Sequence, residues 1–307
     1  MLWPEGKIFA FSIFDDPDGQ TMQGSQALYS FLSDLGIRST VGVWPIAANP
    51  DLRSDAGMTC ANPEYLEWIL ELQSRGFEIG FHNATSHTSM REQTESALER
   101  FEELFGGPPK TMSNHYHSRE ALYWGDDRLS GPQRRLYNLT TRGKNRNASF
   151  GHSPGHPMFW GDLAHKKIRY CRNFVFGDIN TLKECPHMPY HDPDRAFVNY
   201  WYASSEGANI RSCLSRLGER GQDRLEEQGG ACILYVHFGH GFQENGQVHS
   251  QFQHLMRRLA AKQGWFVPVA DLLDYLLAQR KDPVIQPKQR SAMERRWLLH
   301  KFWHGSQ

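Results

Sequence analysis

Apolar residues recur along this chain with two periods, and the places where one gives way to the other mark out its elements. From Ile8 to Phe14 the apolar run is nearly continuous, as in a strand buried on both faces. Leu28, Phe31, Leu32 and Leu35 then fall on one helical face, and Gly36 marks its end. Thr40–Trp44 predicts a second strand. Asn62-Pro63 opens a helix with Leu66, Ile69 and Leu70 on its apolar face and Gly76 past its end. Phe77, Ile79 and Phe81 alternate with smaller or polar residues, the period-2 pattern of a third strand. Ser89-Met-Arg-Glu92 has the form of a capping box for a helix whose Leu98, Phe101, Leu104 and Phe105 face inward before Gly106-Gly107.

The order strand, helix, strand, helix, strand, helix predicts an α/β protein with a parallel sheet or barrel, whose sites lie at the carboxyl ends of strands. Residues 112–210 are less regular, with a strand at Tyr170–Phe176. Order returns with a buried strand at Ala231–His237, a helix at 250–263, Trp265–Val269 and a helix at 270–279. Residues 280–307 carry seven basic and two acidic side chains, and Arg295, Trp297, Leu298, Leu299, Phe302 and Trp303 suggest an amphipathic terminal helix. Such a helix docks on its own body or on a second copy, giving a homo-oligomer. There is no internal repeat and no low-complexity segment.

Chemistry gathers at the predicted strand ends. Asp15 and Asp16 follow the first strand directly, in the turn Asp15-Asp16-Pro17-Asp18-Gly19, where two like charges beside a buried strand favour a bound partner. The third strand delivers His82 and His87, and neutral imidazole is the commonest side-chain metal ligand. A late strand ends at His237, followed closely by His240. His152, His156, His187 and His191 lie in Gly/Pro-rich surroundings, and most of them are not expected to be ligands. Arg128, Arg134, Arg135, Arg142, Lys144 and Arg146 form a basic cluster with no acidic residue between 128 and 147, either a solvated loop or an anion-binding wall.

The remaining composition narrows the classes. With 307 residues, 39% of them hydrophobic, the chain can bury a sizeable core. A net charge of zero gives no global attraction to nucleic acid or anionic membrane, and no apolar run approaches the length of a membrane span. Five scattered cysteines without a CxxC pair read as reduced thiols, and the N-terminus shows no charged-then-apolar leader. The expected location is therefore cytoplasmic.

Four pieces in order resemble the polysaccharide deacetylase family (carbohydrate esterase family 4, the chitooligosaccharide deacetylase type). They are Phe14-Asp15-Asp16, Leu35–Thr40, Phe77–His82 with Ser86-His87, and Leu234–His237. The match covers residues 8–115 and 230–278. It implies a distorted, incomplete (β/α) barrel of about seven parallel strands over residues 1–280, with a substrate-lid insertion at 112–210 and a basic extension at 281–307. It also implies one divalent ion, Zn²⁺ foremost with Co²⁺, Ni²⁺ or Mn²⁺ as alternatives, held by Asp16, His82 and His87. Asp15 would be the base, His237 the acid, and the substrate a small N-acetylated sugar or sugar conjugate. The sequence departs from the family in three ways. Its histidines are five apart rather than four. It lacks the Arg-x-Pro motif that orients the base, so Asn114, His115 or His117 is expected near the metal instead. It also lacks an Asp-Trp pair behind the late histidine, for which Asp178 is the candidate orienter. Trp124 and His240 complete the expected substrate contacts. The alternatives are hydrolysis of a non-sugar C–N bond and a non-catalytic carbohydrate-binding barrel.

Overall fold

The computed structural model describes residues 3–52 and 57–304, with side chains through Phe302. The first half alternates strictly: β1 (Phe9–Asp15), α1 (Met22–Asp34), β2 (Thr40–Val43), α2 (Pro63–Ser74), β3 (Glu78–Phe81), α3 (Arg91–Phe105) and β4 (Thr111–Met112). Local chemistry explains the boundaries. Asn62 caps α2 by accepting the Tyr65 amide on Oδ1, with Pro63 at the first helical position. The start of α3 lies one residue later than the sequence suggests. Met90 is the capping residue and Gln93 Oε1 accepts its amide, while the Ser89 amide donates instead to Glu120. Gly106, at φ +82°, ends that helix in the left-handed conformation.

The second half runs α4 (Gly131–Thr140), α5 (Gly161–Lys167), β5 (Tyr170–Phe176), α6 (Thr181–Glu184), β6 (Tyr200–Glu206), α7 (Ile210–Leu217), α8 (Glu219–Glu227) and β7 (Ala231–Val236). A small hairpin, β8 (Gln243–Glu244) and β9 (Gln247–Val248), precedes α9 (Ser250–Ala260), β10 (Gly264–Phe266), α10 (Val269–Ala278) and α11 (Pro287–His304). The segment expected as an insertion thus contributes β5 and β6 to the sheet, and its irregular part is the stretch between β4 and β5.

Among the described residues, β1 to β7 form a parallel ring in sequence order, closed by pairing of β1 with β7 from Ala10↔Ala231 to Asp15↔Val236. The expected seven-stranded (β/α) barrel is present, and its distortion lies between β1 and β2. Those strands pair only at Phe14↔Thr40 and Asp15↔Val41, while β10 pairs with the first half of β1, from Phe9 to Phe11. Inside the ring, Phe14 fills the space opposite the paired glycines of β2 and β3. A Cβ on Gly80 would come within 2.9 Å of its ring, and one on Gly42 within 3.2 Å.

The pairing of β5 with β6 shifts register between Arg172 and Val175. This bulge lets Arg172 and Val175, three apart, both line the central cavity, while Phe174 packs on α11 through Trp297 at 5.1 Å between ring centroids. Met293, Trp297 and Leu298 of α11 are buried on this same chain, whereas Leu299 and Phe302 are exposed. Trp303, expected on the same apolar face, has its side chain outside the described residues, as do residues 305–307 of the extension. All five cysteines are buried and unpaired. No helix among the described residues is long and apolar enough to cross a membrane.

Candidate functional site

Parity along β1 decides which carboxylate faces the barrel interior. Phe14 points in, Asp15 out and Asp16 in. Pro17 keeps the residue before it extended, and Asp18 returns to the same side as Asp16. Asp16 and Asp18 accordingly line a cavity of about 470 Å³ at the carboxyl ends of the strands. Asp15 does not line it. Its Oδ2 accepts hydrogen bonds from Gln20 (2.6 Å) and Tyr29 (2.7 Å), and its Oδ1 accepts the Phe238 amide (2.8 Å). Burial outweighs these donors and pushes its carboxyl up to about 8. Asp15, expected to be the base, is instead a clamp joining β1 to α1 and to the loop after β7.

The two imidazoles that face Asp18 arrive from adjacent strands. His82 follows β3, its amide bonded to Val43 O, and His115 lies three residues past β4. Asn83, in the left-handed region at φ +60°, ties these loops together. Its Oδ1 accepts the His115 amide (2.9 Å) and its Nδ2 donates to Glu120 (2.9 Å). Trp44 packs on both imidazoles, at 5.9 and 5.6 Å between centroids. The resulting distances are 3.3 Å from His82 Nε2 to Asp18 Oδ2 and 3.2 Å from His115 Nε2 to Asp18 Oδ1.

The hydrogen bonds around Ser113 fix the state of His82. Ser113 Oγ donates its one proton to Asp16 Oδ1 (2.8 Å), so at 2.7 Å it must accept from His82 Nδ1. In the neutral imidazole this leaves the lone pair of His82 Nε2 facing Asp18 Oδ2, and both atoms are buried without a hydrogen-bond partner. Two opposed acceptors in a buried site call for a cation between them. Burial raises the Asp18 carboxyl, but His115, His82 and His237 together more than reverse this and hold it well below the usual range. Asp18, His82 and His115 form one group that could hold a metal ion, and Asp16, Asp18 and His237 form a second.

Asp16 is matched by Arg172, the one charged residue of β5. Nη2 lies 2.5 Å from Oδ2 and Nη1 3.2 Å from Oδ1. The guanidinium rests 4.2 Å over Tyr235 and 5.5 Å over Phe14. Burial raises the Asp16 carboxyl, and Arg172 together with His82 and His237 outweighs it, so Asp16 is held low and anionic. His237 donates from Nδ1 to Ala208 O (3.0 Å), which turns Nε2 towards Asp18 Oδ2 (3.6 Å), Asp16 Oδ2 (3.9 Å) and the Tyr235 hydroxyl (3.0 Å). Burial pushes its imidazole pKa down, against the pull of the two aspartates.

The sequence expectations divide accordingly. Asp16, His82 and His237 come together. His87 stands apart: its Nε2 accepts the Asn49 amide (2.9 Å) and its Nδ1 donates to Thr88 O (2.8 Å), so neither nitrogen is left for an ion. His115, expected near the metal along with Asn114 or His117, lies beside Asp18 and His82. Asn114, His117, Trp124 and His240 also line the cavity, although the Asn114 amide is engaged by both backbone groups of Leu122. Asp178 does not line it and instead accepts from Asn180 N and faces Arg224. His152 stacks on Tyr123 and His156 on Phe150, both as structural groups. The basic cluster is dispersed, with Arg134 bound to Asp126 and Asp127 and only Arg128 on the cavity wall. Two residues given no role from the sequence, Asp18 and Arg172, left signals there. One is the Asp-Pro-Asp spacing and the other the single charge in the strand Tyr170–Phe176.

No protein-family model matches the sequence, and no curated protein does. Solved structures match over nearly the full length. A Mycobacterium smegmatis protein assigned as a polysaccharide deacetylase superposes with a TM-score of 0.57 at 13% identity, covering 93% of this chain and 96% of its own. The Puue allantoinase superposes with a TM-score of 0.51 at 13% identity, covering 91% and 93%. The chain therefore shares the fold of these two proteins.

Proposed function

We propose that this protein is a metal-dependent hydrolase of non-peptide carbon–nitrogen bonds, and that it removes the acetyl group from a small N-acetylated sugar or sugar conjugate. The observation that carries this reading is the pair of buried, unpartnered acceptors, His82 Nε2 and Asp18 Oδ2, set beside Asp16 and His237. Asp18, His82 and His115 would hold the ion, and a set of two imidazoles and one carboxylate suits Zn²⁺. A divalent ion bound there supplies Lewis acidity towards an amide carbonyl and an attacking water.

The protein's own groups account for the protons. Asp16, kept anionic and oriented by Arg172, accepts a proton as water adds to the carbonyl carbon. Asp16 passes this proton to His237 Nε2, 3.9 Å away, and His237 delivers it to the nitrogen as the C–N bond breaks. One water is consumed, giving a carboxylate and an ammonium. The likeness to an enzyme named for allantoin favours a second reading, in which the same groups open a non-sugar C–N bond.

Elemental analysis and a panel of N-acetyl sugars and cyclic amides test both readings. Asp18→Ala and His115→Ala should lose most bound metal, while His87→Ala should keep it. His237→Ala should stay metal-loaded and lose roughly 10²- to 10⁴-fold in kcat. Full metal occupancy in Asp18→Ala, or near-normal turnover in His237→Ala, would sink the assignment.

A further inference from the structure

Among the described residues three arginines are almost wholly buried: Arg128, Arg172 and Arg195. Arg172 is paired with Asp16, and Arg195 with Asp192 and Glu294. Arg128 differs. Among the described residues no carboxylate lies within 4 Å of it, and it is the one of the three on the cavity wall whose charge is unmatched. Its neutral partners are Gly125 O, 3.4 Å from Nε, and the Tyr137 hydroxyl.

The guanidinium carbon lies over two indoles, 4.0 Å from the ring centre of Trp124 and 4.6 Å from that of Trp297. Packing of this kind restrains the fork and leaves its edge for a ligand. Two ring faces and two neutral oxygens return only part of what a guanidinium loses on leaving water. Lys301 lies over the same Trp297 ring, at 5.2 Å. Burial and the nearby Arg128 push its ammonium down to about 7. The one acid of the cavity on this side, Glu206, has Oε1 held by the Ala208 amide (2.9 Å).

We propose that the cavity takes a substrate bearing an oxyanion, either a carboxylate or a phosphate, and that Arg128 is its receptor. The ligand's role as substrate rests on the hydrolase reading, whereas the anion preference does not. The fork matches either group in bidentate fashion, so the natural ligand carries its negative charge at a distance from the carbon–nitrogen bond that is cut. Arg128 is then a specificity residue. Its charge is balanced only when the cavity is filled.

Calorimetric binding to the metal-loaded protein separates the possibilities, using N-acetylglucosamine, N-acetylglucosamine 6-phosphate and N-acetylmuramic acid as neutral, phosphate and carboxylate probes. At least one anionic probe should bind about tenfold or more tightly than the neutral one, the scale of a charge-assisted pair, and added salt should erode the difference. Arg128→Gln should abolish the preference and Arg128→Lys should retain part of it. Hydrolysis is read on the same compounds. Anion preference without turnover would reject the hydrolase reading and leave the anion receptor standing. Neutral and anionic probes bound alike by the wild-type protein, whether well or not at all, would overturn the receptor. So would a preference that survives in Arg128→Gln.

Discussion

Arg172 occupies the position from which one side chain governs most of the site, because it neutralises Asp16 at the centre of a water-poor barrel. Replacing it with Met leaves that carboxylate buried and unpaired, which costs about 3–5 kcal/mol. The denaturant midpoint of Arg172→Met should fall accordingly, and Asp16→Asn in the same chain should restore much of the loss. Additive effects of the two changes would mean the pair is not coupled. At this scale the sequence was only partly legible. The acidic turn and His82 could be read from it, but whether Asp15 or Asp16 faces inward depends on strand parity. The run Phe9–Phe14, buried on both faces, conceals that parity. His87 misled for a related reason. Loop spacing does not reveal that Asn83 turns left-handed and that the His87 nitrogens close onto Asn49 and Thr88.

Elements were more readable than residues. Helical and strand periods, Asn62-Pro63 and the glycine stops place β1 to β3 and their helices within a residue or two, because each such signal acts locally. The docking of α11 was not readable, since its partners are distant in sequence. Glu294 accepts from the Ser130 amide (3.1 Å) and hydroxyl at the start of α4, and Trp297 meets Tyr137 and Phe174. This helix therefore braces both the β5 wall and the segment that carries Trp124 and Arg128. Trp297→Ala should cost about 3–5 kcal/mol, the usual range for a buried tryptophan. It should also weaken binding of anionic ligands while leaving metal content unchanged. Loss of metal in that variant would show that α11 supports the strand ends themselves rather than one wall.

Across the whole molecule, the end of the barrel opposite the cavity is tied together by Glu78. Its carboxylate accepts from Thr40 on β2 (2.6 Å), Thr111 on β4 (2.7 Å) and the Ala270 amide of α10 (2.9 Å). Burial is the larger influence and pushes the carboxyl up to about 6, while the three donors pull it down. The folded protein thus holds this proton more tightly than the unfolded chain, where glutamate titrates near 4.5. The contribution is fully present below that value and is lost as pH rises through about 6. Midpoints measured between pH 4 and 7 should fall across this window in the wild-type protein, relative to Glu78→Gln, in which the group cannot titrate. Superimposable profiles would show that Glu78 is not the titrating clamp.

The placement of Trp297 has a consequence for the order in which the molecule is made. The aspartate and histidine cluster is complete once His237 has been synthesised, but the indole against which Arg128 stacks follows roughly sixty residues later. At about 5–20 residues per second, that gap is on the order of 3–12 s. A nascent chain therefore carries every aspartate and histidine of the cluster before it has the wall on which Arg128 rests. The last helix is what fixes that wall.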